Sequence, residues 1–526
     1  MGVCESNLLM TDRWQSLPIK CQGGLILDTD ALTQGTQYPG SARVLENYEP
    51  AIEGGYRKIN GFTKYDSTAV TGGTNNPILG LKVFNSGVLA VRKNSGGTDN
   101  IVYFSTGSGW TAASTTVRGG SPTKARFITY SMTAPVVILT DGVNYAWKYD
   151  GTTETTINGT GAPSNPKFAA LFKNRLVLSG YSANTSAISL TAPNTDTDFN
   201  GAAGALEISV GDVVVGLKTF REELYIFCQR AIKKLVGNTS ADFQIVDVVK
   251  SLGCLSGDSI QEISGDLLFL SADGFRTVAG TEKIGDIDLG LVSKQIQPIV
   301  RSTLSNNFSE SVYSSLVIRR KSQYRIFLND SNSTEADTVG YLGRVTDIPV
   351  TERGKVEWAV LRGIKPHCCD SDLTNQQELA VIGHPTSGYV YQLESGNTFD
   401  GTNIYAIYRT PDITFEDASI RKVFQKLALY TQVDGNIEFL INLKLDKEQT
   451  DILQPDSITV SQTGAVPVYG TAVYGTDTYG AVAYPTFYNN LIGSGFTGAF
   501  QFSSSNDKAP HRIDSFQVSY AMKGRR

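Results

Sequence analysis

The feature that most constrains this chain is the stretch 211–280, where short apolar runs alternate with turn-forming residues. The runs lie at 213–217, 224–228, 232–236, 243–249 and 267–270. Each is about the length of a strand, and Gly, Asn, Asp and Ser fill the gaps. Their Val, Ile, Phe and Leu content suits a pleated, half-buried surface. Glu222-Glu223, Gln229-Arg230 and Asp273-Gly274 stand where hairpins would turn. Such a segment makes antiparallel strands that return on themselves.

The same rhythm runs through 57–395. Hairpins are expected at 78–84 with 88–92 across Asn85-Ser86-Gly87, and at 168–172 with 175–180 across Lys173-Asn174. Another joins 135–140 to 145–149 across Asp141-Gly142, a strong two-residue turn signal. Further strands are expected at 101–104, 314–318, 324–328, 356–360, 378–383 and 388–392. The spacing predicts one helix, over 291–304, where Ile296, Ile299, Val300 and Leu304 share a face and Pro298 would start or kink it. Hairpins without helical crossovers exclude a parallel α/β sheet and leave stacked sandwiches or a propeller. At ~45–55 residues per blade, residues 57–395 hold six or seven blades.

The flanks read differently. Residues 1–56 are interrupted by Gly23-Gly24, Tyr38-Pro39-Gly40 and Glu53-Gly54-Gly55 and read as an extended N-terminal arm. With too little apolar surface for its own core, such an arm borrows one from a neighbouring subunit or folds back on its own domain. Residues 396–526 carry longer alternating strands at 404–408, 420–431 and 437–445, suited to a β-sandwich. Within them Tyr469, Tyr474, Tyr479 and Tyr484 recur every fifth residue, a period that fits neither strand nor helix. A string of turns displaying one ring each makes these tyrosines candidate contacts with a subunit or partner, or else a self-packed loop. The expected fold class is all-β: a β-propeller with an extended N-terminal arm and a C-terminal β-sandwich domain.

Composition narrows the function classes. A formal net charge of −5 argues against a protein that grips nucleic acid non-specifically, though an acidic wall lets DNA slide past. The opening residues lack a basic stretch followed by an apolar one, and no 18 consecutive apolar residues occur, so neither a signal peptide nor a membrane helix is expected. Six cysteines, at 4, 21, 228, 254, 368 and 369, make no disulfide framework and point to a reducing cytoplasm. No GxxxxGK[ST], HExxH, CxxC or GxSxG occurs, so no catalytic or cofactor-binding residue is nominated. His367-Cys368-Cys369-Asp370 is the one cluster with metal-ligand residue types; adjacent cysteines on a strand point opposite ways, and no metal site is nominated. The run 271–277, SADGFRT, resembles the Asp-box of sialidase propellers, a hairpin-turn device. A glycosidase would need two carboxylates facing each other across a cleft, and no pair stands out among 51 acidic residues. Arg319, Arg320, Lys321 and Arg325, with Tyr324 among them, form a candidate DNA-proximal basic cluster or a face paired with acidic neighbours.

The run from Gly23 to Asp66 resembles the opening of phage tail structural proteins. An Asn-x-Glu … Glu-Gly-Gly-Tyr-Arg-x-Ile-x-Gly pattern is carried by Asn47, Glu49, Glu53, Gly54, Gly55, Tyr56, Arg57, Ile59 and Gly61. The middle segments FKNRLVLSGY, DVVVGLKTFREELYIFCQRAIKKLVG and SADGFRTVAG, the Tyr-Gly string and the terminal Gly-Arg-Arg are similar to the same proteins. The family is the nozzle, or tail tubular protein B, of short-tailed phages, overlapping with packaged-DNA stabilisation proteins. The resemblance implies a virion protein assembled in the host cytoplasm. It implies a hexameric ring at the distal end of the tail, joined to the tail adaptor and to fibre or spike proteins. Packaged double-stranded DNA would pass through without sequence-specific binding, held until ejection; Gly96-Gly97 and 107–109 are candidate gating loops. A glycan-directed propeller enzyme and a receptor-binding tail-tip module remain the alternatives.

Overall fold

The computed structural model describes residues 14–278, 291–306, 309, 312–330, 334–335, 337–346, 356–449, 451–462 and 485–525. Strands dominate, and they form small antiparallel sheets that follow one another along the chain. The first sheet opens on Ile78–Phe84, the second on Arg126–Ser131, the third on Phe168–Phe172 and the fourth on Val214–Phe220. The fifth opens on Gln261–Ile263, the sixth on Tyr313–Ile318 and the seventh on Cys368–Thr374. Each opening strand lies at one end of its sheet's strand order. Successive opening strands pack against each other, the fourth reaching the fifth and sixth sheets through the turn Gly257–Ser259, and the seventh returns to the first. The result is a closed, β-propeller-like ring around a central axis.

Closure is made by chain ends distant in sequence. The strand Phe62–Lys64 pairs with Val390–Leu393, Phe62 opposite Leu393 and Lys64 opposite Tyr391, and so completes the seventh sheet from the N-terminal side. Gly61, just before it, is held so close to Thr398 that an added Cβ would lie 1.9 Å from that carbonyl oxygen. Backbone cannot yield as a flexible side chain can. Gly61→Ala is therefore expected to destabilise the fold by about 2–3 kcal/mol, read as a lower denaturant midpoint at unchanged slope.

The turns explain both the regularity and the expectations that slipped. In five sheets the first two strands are joined by a residue pair with positive φ at both positions: Asn85-Ser86, Lys173-Asn174, Arg221-Glu222, Ser264-Gly265 and Asn375-Gln376. This is the mirror-image turn whose twist matches that of the flanking strands. Four of the five pairs contain no glycine, so the turn at 221–222 falls one residue earlier than charge cues placed it; the turn at 272–273, between the second and third strands of its sheet, also falls one residue early. Asp141-Gly142 is not a two-residue turn. It opens a longer connection in which the Asp141 carboxylate accepts from the Val143 and Asn144 amides and pairs with Arg118 at 2.8 Å.

The expected helix is shorter than the predicted 291–304: a single turn at Lys294–Ile296 leads into Gln297–Leu304, with Pro298 in its first turn. A second helix, Ala31–Gln37, was not anticipated. Asp30 caps it by accepting from the Leu32 and Thr33 amides, a signal masked by Gly35 within the helix.

The N-terminal segment corrects the reading of an extended arm. Trp14–Lys20 pairs along its whole length with His511–Arg525. Tyr56–Lys58 pairs with Arg512 and Ile513 on the same side of His511–Arg525, and Tyr48–Pro50 pairs with it in turn, while Ile420–Val433 fills the opposite side. Val44–Glu46 is inserted between Val356–Leu361 of the sixth sheet and the C-terminal strand Thr402–Arg409. The arm's missing core is supplied within its own chain: Ile19, Leu45, Tyr48, Tyr56 and Ile59 are all buried in the largest apolar cluster. The C-terminal strands make two sheets. One contains Thr402–Arg409, Gly498–Asn506, Ile437–Leu445 and Ile458–Gln462; the other contains Ile420–Val433, His511–Arg525 and Thr486–Asn490. Phe500 and Phe502 of the first pack on Phe516 of the second.

Candidate functional site: a charged junction and a central cavity

Two places concentrate charge inside this fold. The first is the junction of the N-terminal segment with the sixth and seventh sheets. The turn Arg319–Lys321 and the strand Gln323–Leu328 project cations toward Glu49, on Tyr48–Pro50, and Glu394, at the end of the seventh sheet. Arg325 contacts Glu49 at 3.0 Å and Glu394 at 2.7 Å. Lys321 donates to Glu49 at 2.6 Å and also to Glu394. Gln323 donates to Glu49 at 3.1 Å and accepts from Arg325. Arg57 reaches Glu49 at 3.5 Å and bonds Asp434 at 2.6 Å, tying in the C-terminal sheets. Burial pushes the Glu394 carboxyl up, but Arg325 and Lys321 outweigh it and hold the group at about 2.

The candidate DNA-proximal cluster is thereby corrected. The Arg325 side chain is 1% exposed and Lys321 is mostly covered, both committed to buried carboxylates. Only Arg319 and Arg320 reach solvent, and Glu378 accepts from both of their backbone amides. Position explains the split: Arg319 and Arg320 ride on the turn outside the strands, whereas Arg325 lies within Gln323–Leu328 beside both carboxylates. Of the other candidates, Tyr469, Tyr474, Tyr479 and Tyr484 lie outside the described residues. His367, Cys368, Cys369 and Asp370 do not converge. His367 bonds Asn329 and the Thr123 carbonyl, the Cys368 thiol donates to the Ile78 carbonyl, and Asp370 pairs with Lys82. In the 271–277 run, Asp273 is turned onto Arg276 at 2.5 Å. The glycine-rich 105–109 turn is fastened by Asp66, which accepts from Ser105 and the Gly109 amide.

The second place is a cavity of about 580 Å³ on the ring axis, to which all seven sheets or their connections contribute. At the N-terminal ends of the opening strands, Asp258 receives both Arg126 nitrogens at 2.8 Å and Lys124 at 3.2 Å. Burial works against that carboxylate, yet the two cations keep it at about 2. Toward the C-terminal ends, Lys82 is held between Asp370 at 3.1 Å and Asp372 at 3.0 Å. Lys218 and Arg319 complete the charged lining. Lys218 was missed because it sits in an ordinary apolar run, and only ring closure brings it to the axis.

Two histidines add a pH dependence. His511, stacked on Phe439 and bonded to the Tyr48 hydroxyl at 2.7 Å, is lowered to about 3 by burial, with Lys58 and Arg57 adding to the effect. His367 is lowered to about 4, again chiefly by burial. Each is neutral in the fold and would take up a proton when unfolded below about 6.5. Their stabilising contribution is complete above that pH and is lost as pH falls toward the folded values. Glu394 and Asp258, depressed from the usual carboxyl range, lose theirs between about 4.5 and 2. The melting temperature is therefore expected to hold steady from pH 8 to 7, decline below about 6.5, and fall more steeply below about 4.5, as scanning calorimetry across pH would record.

Among the described residues no helix is long and apolar enough to cross a membrane. No family model and no curated protein matches the chain. Solved structures with some likeness include the N-terminal domain of Nup159, at 12% identity and TM-score 0.33, covering 66% of this chain and 98% of that one. BBS1N in complex with ARL6DN aligns at 7% identity and TM-score 0.35, over 64% and 97% of the two chains. PorZ, a surface component of the type-IX secretion system of Porphyromonas gingivalis, aligns at 10% identity and TM-score 0.37, over 81% and 60%.

Proposed function

We propose that this chain is a structural virion protein, a subunit of the nozzle ring at the distal end of a phage tail. In this reading a seven-bladed propeller carries a C-terminal β-sandwich, and copies close into a hexamer against the tail adaptor. The ring bears fibre or spike proteins, lines the DNA channel and retains the packaged genome until ejection. No catalytic role is assigned to it.

The observation that carries the proposal is where the residues of the family resemblance lie. Asn47 donates to the Tyr405 carbonyl at 2.8 Å and accepts from the Arg362 amide at 2.9 Å, linking the ring to the C-terminal sheets. Glu49 anchors the buried charge network, and Glu53 pairs with Arg512 at 2.7 Å. Gly55 lies where a Cβ would meet the Ile513 carbonyl at 2.6 Å; Tyr56 packs edge-on against Tyr408. Arg57, Ile59 and Gly61 continue the same seam. The residues that carry the resemblance thus line the seam between the ring and the C-terminal sheets, which supports a structural rather than a reactive role. A second feature favours assembly: Thr486–Asn490 is an edge strand with Tyr488 75% exposed, directly after the tyrosine string. Edges of this kind invite pairing with another chain.

The experiment is a mass measurement of the purified chain with and without its adaptor. A hexamer, alone or on the adaptor, is expected, and Tyr488→Lys should lower the assembled fraction while leaving the melting temperature unchanged. A chain that stays monomeric in both conditions would overturn the reading.

A further inference from the structure

The central cavity holds more positive charge than its carboxylates neutralise. Its lining carries Lys82, Lys124, Arg126, Lys218 and Arg319 against Asp258, Asp370 and Asp372, in a chain whose overall charge is negative. The pairing is uneven. One carboxylate, Asp258, serves two cations, and one cation, Lys82, serves two carboxylates. Arg319 spends one nitrogen on the Ser371 carbonyl and stands 4.0 Å from Glu378. Lys218 makes no hydrogen bond or ion pair with any described residue. Burial and the nearby charges of Lys82 and Arg319 lower its pKa, against the partial help of Glu262 and Asp370. An ammonium so placed is only partly compensated and lines the cavity with no acceptor among the described residues.

The backbone adds donors. The seven opening strands are the inner edges of their sheets, so amides and carbonyls alternate along each without a strand partner, and some are already claimed, as the Val83 amide is by Asp370. Leu171, Leu217, Ile128 and Leu316 supply apolar wall between the charged groups. A volume of about 580 Å³ is that of a small-molecule site and far too narrow for duplex DNA.

We propose that the cavity binds a small anion, a carboxylate- or phosphate-bearing molecule whose charged group rests on Lys218 and Arg319 at the C-terminal ends of the opening strands. The anion neutralises the excess cation and its remaining body lies on the apolar wall. Binding stabilises the ring by occupying its axis, and it is independent of whether the chain assembles.

The test uses the full chain in chloride-free buffer, with inorganic phosphate and phenyl phosphate as probes followed by calorimetry. Lysine acetylation mapped by mass spectrometry provides a second readout. Saturable binding is expected in the millimolar range or tighter, with Lys218 shielded from acetylation by the probe and exposed surface lysines unaffected. Lys218→Gln should weaken binding about tenfold or more, the loss of one charge-assisted hydrogen bond, while Lys218→Arg retains it. Preference for phenyl phosphate over phosphate would show that the apolar wall takes part; equal affinity would confine the site to the anionic group. Because Lys218 has no partner to abandon, Lys218→Gln should melt no lower than the parent, which separates lost binding from lost folding. Absence of saturable binding, or unchanged affinity in Lys218→Gln, would overturn the proposal.

Discussion

A chain beginning at residue 65 is expected not to fold. The segment before it supplies the whole of Trp14–Lys20 against the last strand, the inserted strand Val44–Glu46, and Phe62–Lys64, which closes the ring. Its loss would expose the flank of His511–Arg525, separate the sixth sheet from Thr402–Arg409 and leave the seventh sheet one strand short. Ile19, Leu25, Leu45, Tyr48, Tyr56 and Ile59 would leave the core with it. At about 1.5–3 kcal/mol for each such side chain, these six alone rival the roughly 5–15 kcal/mol that typically separates folded from unfolded states. The shortened chain should be insoluble, or soluble without a cooperative melt and digested by protease at concentrations that spare the parent. A truncated protein melting within a few degrees of full length would show that the arm is dispensable, contrary to its pairing.

Arg325→Met is expected to be the most damaging single substitution at the junction. The guanidinium lies between Glu49 and Glu394, both almost fully buried. Removing it leaves Lys321 as the one cation that bridges both carboxylates, with Arg57 at 3.5 Å from Glu49 and Arg320 at 3.8 Å from Glu394, in a site that water barely reaches. Breaking a buried pair from one side costs about 3–5 kcal/mol, because the abandoned charge stays desolvated. Glu394, held low against its burial chiefly by Arg325, should then bind a proton more readily than in the parent, so the stability gap between variant and parent should narrow as pH is lowered from 7 to 5. The double variant Arg325→Met, Glu394→Gln should be less damaged than the single one, since it leaves Glu49 facing Lys321 and Arg57 and abandons no carboxylate. Urea denaturation at both pH values reads all of these. A single variant as stable as the parent would mean that Arg325 is not engaged as described.

Much of this organisation was legible in the residues, for a physical reason. Strand periodicity is a local property, and the runs at 168–172, 232–236 and 437–445 coincide with strands. Turn identity was less legible, because Arg221-Glu222 and Asn375-Gln376 take the left-handed conformation without glycine; the strand twist on either side imposes it. The arm's low apolar content was legible, but which of the two ways its core is completed was not, because the deciding partners lie more than 300 residues away, as in Val44 opposite Arg409. The cavity was not legible at all. Lys82 and Lys218 are unremarkable where they stand in the chain, Asp370 drew notice only beside two cysteines, and ring closure alone brings the three to one cavity. The basic cluster around residue 320 shows the same limit: charge density was visible, but the buried carboxylates that claim it, Glu49 and Glu394, lie far off in sequence.

The proposed place of this chain in a tail ring is tested by images of virions carrying an antibody or gold label on this subunit. The account predicts label at the distal end of the tail, in a ring of equivalent copies around the channel axis. Label absent from the particle, or found on it singly with no ring, would contradict the account.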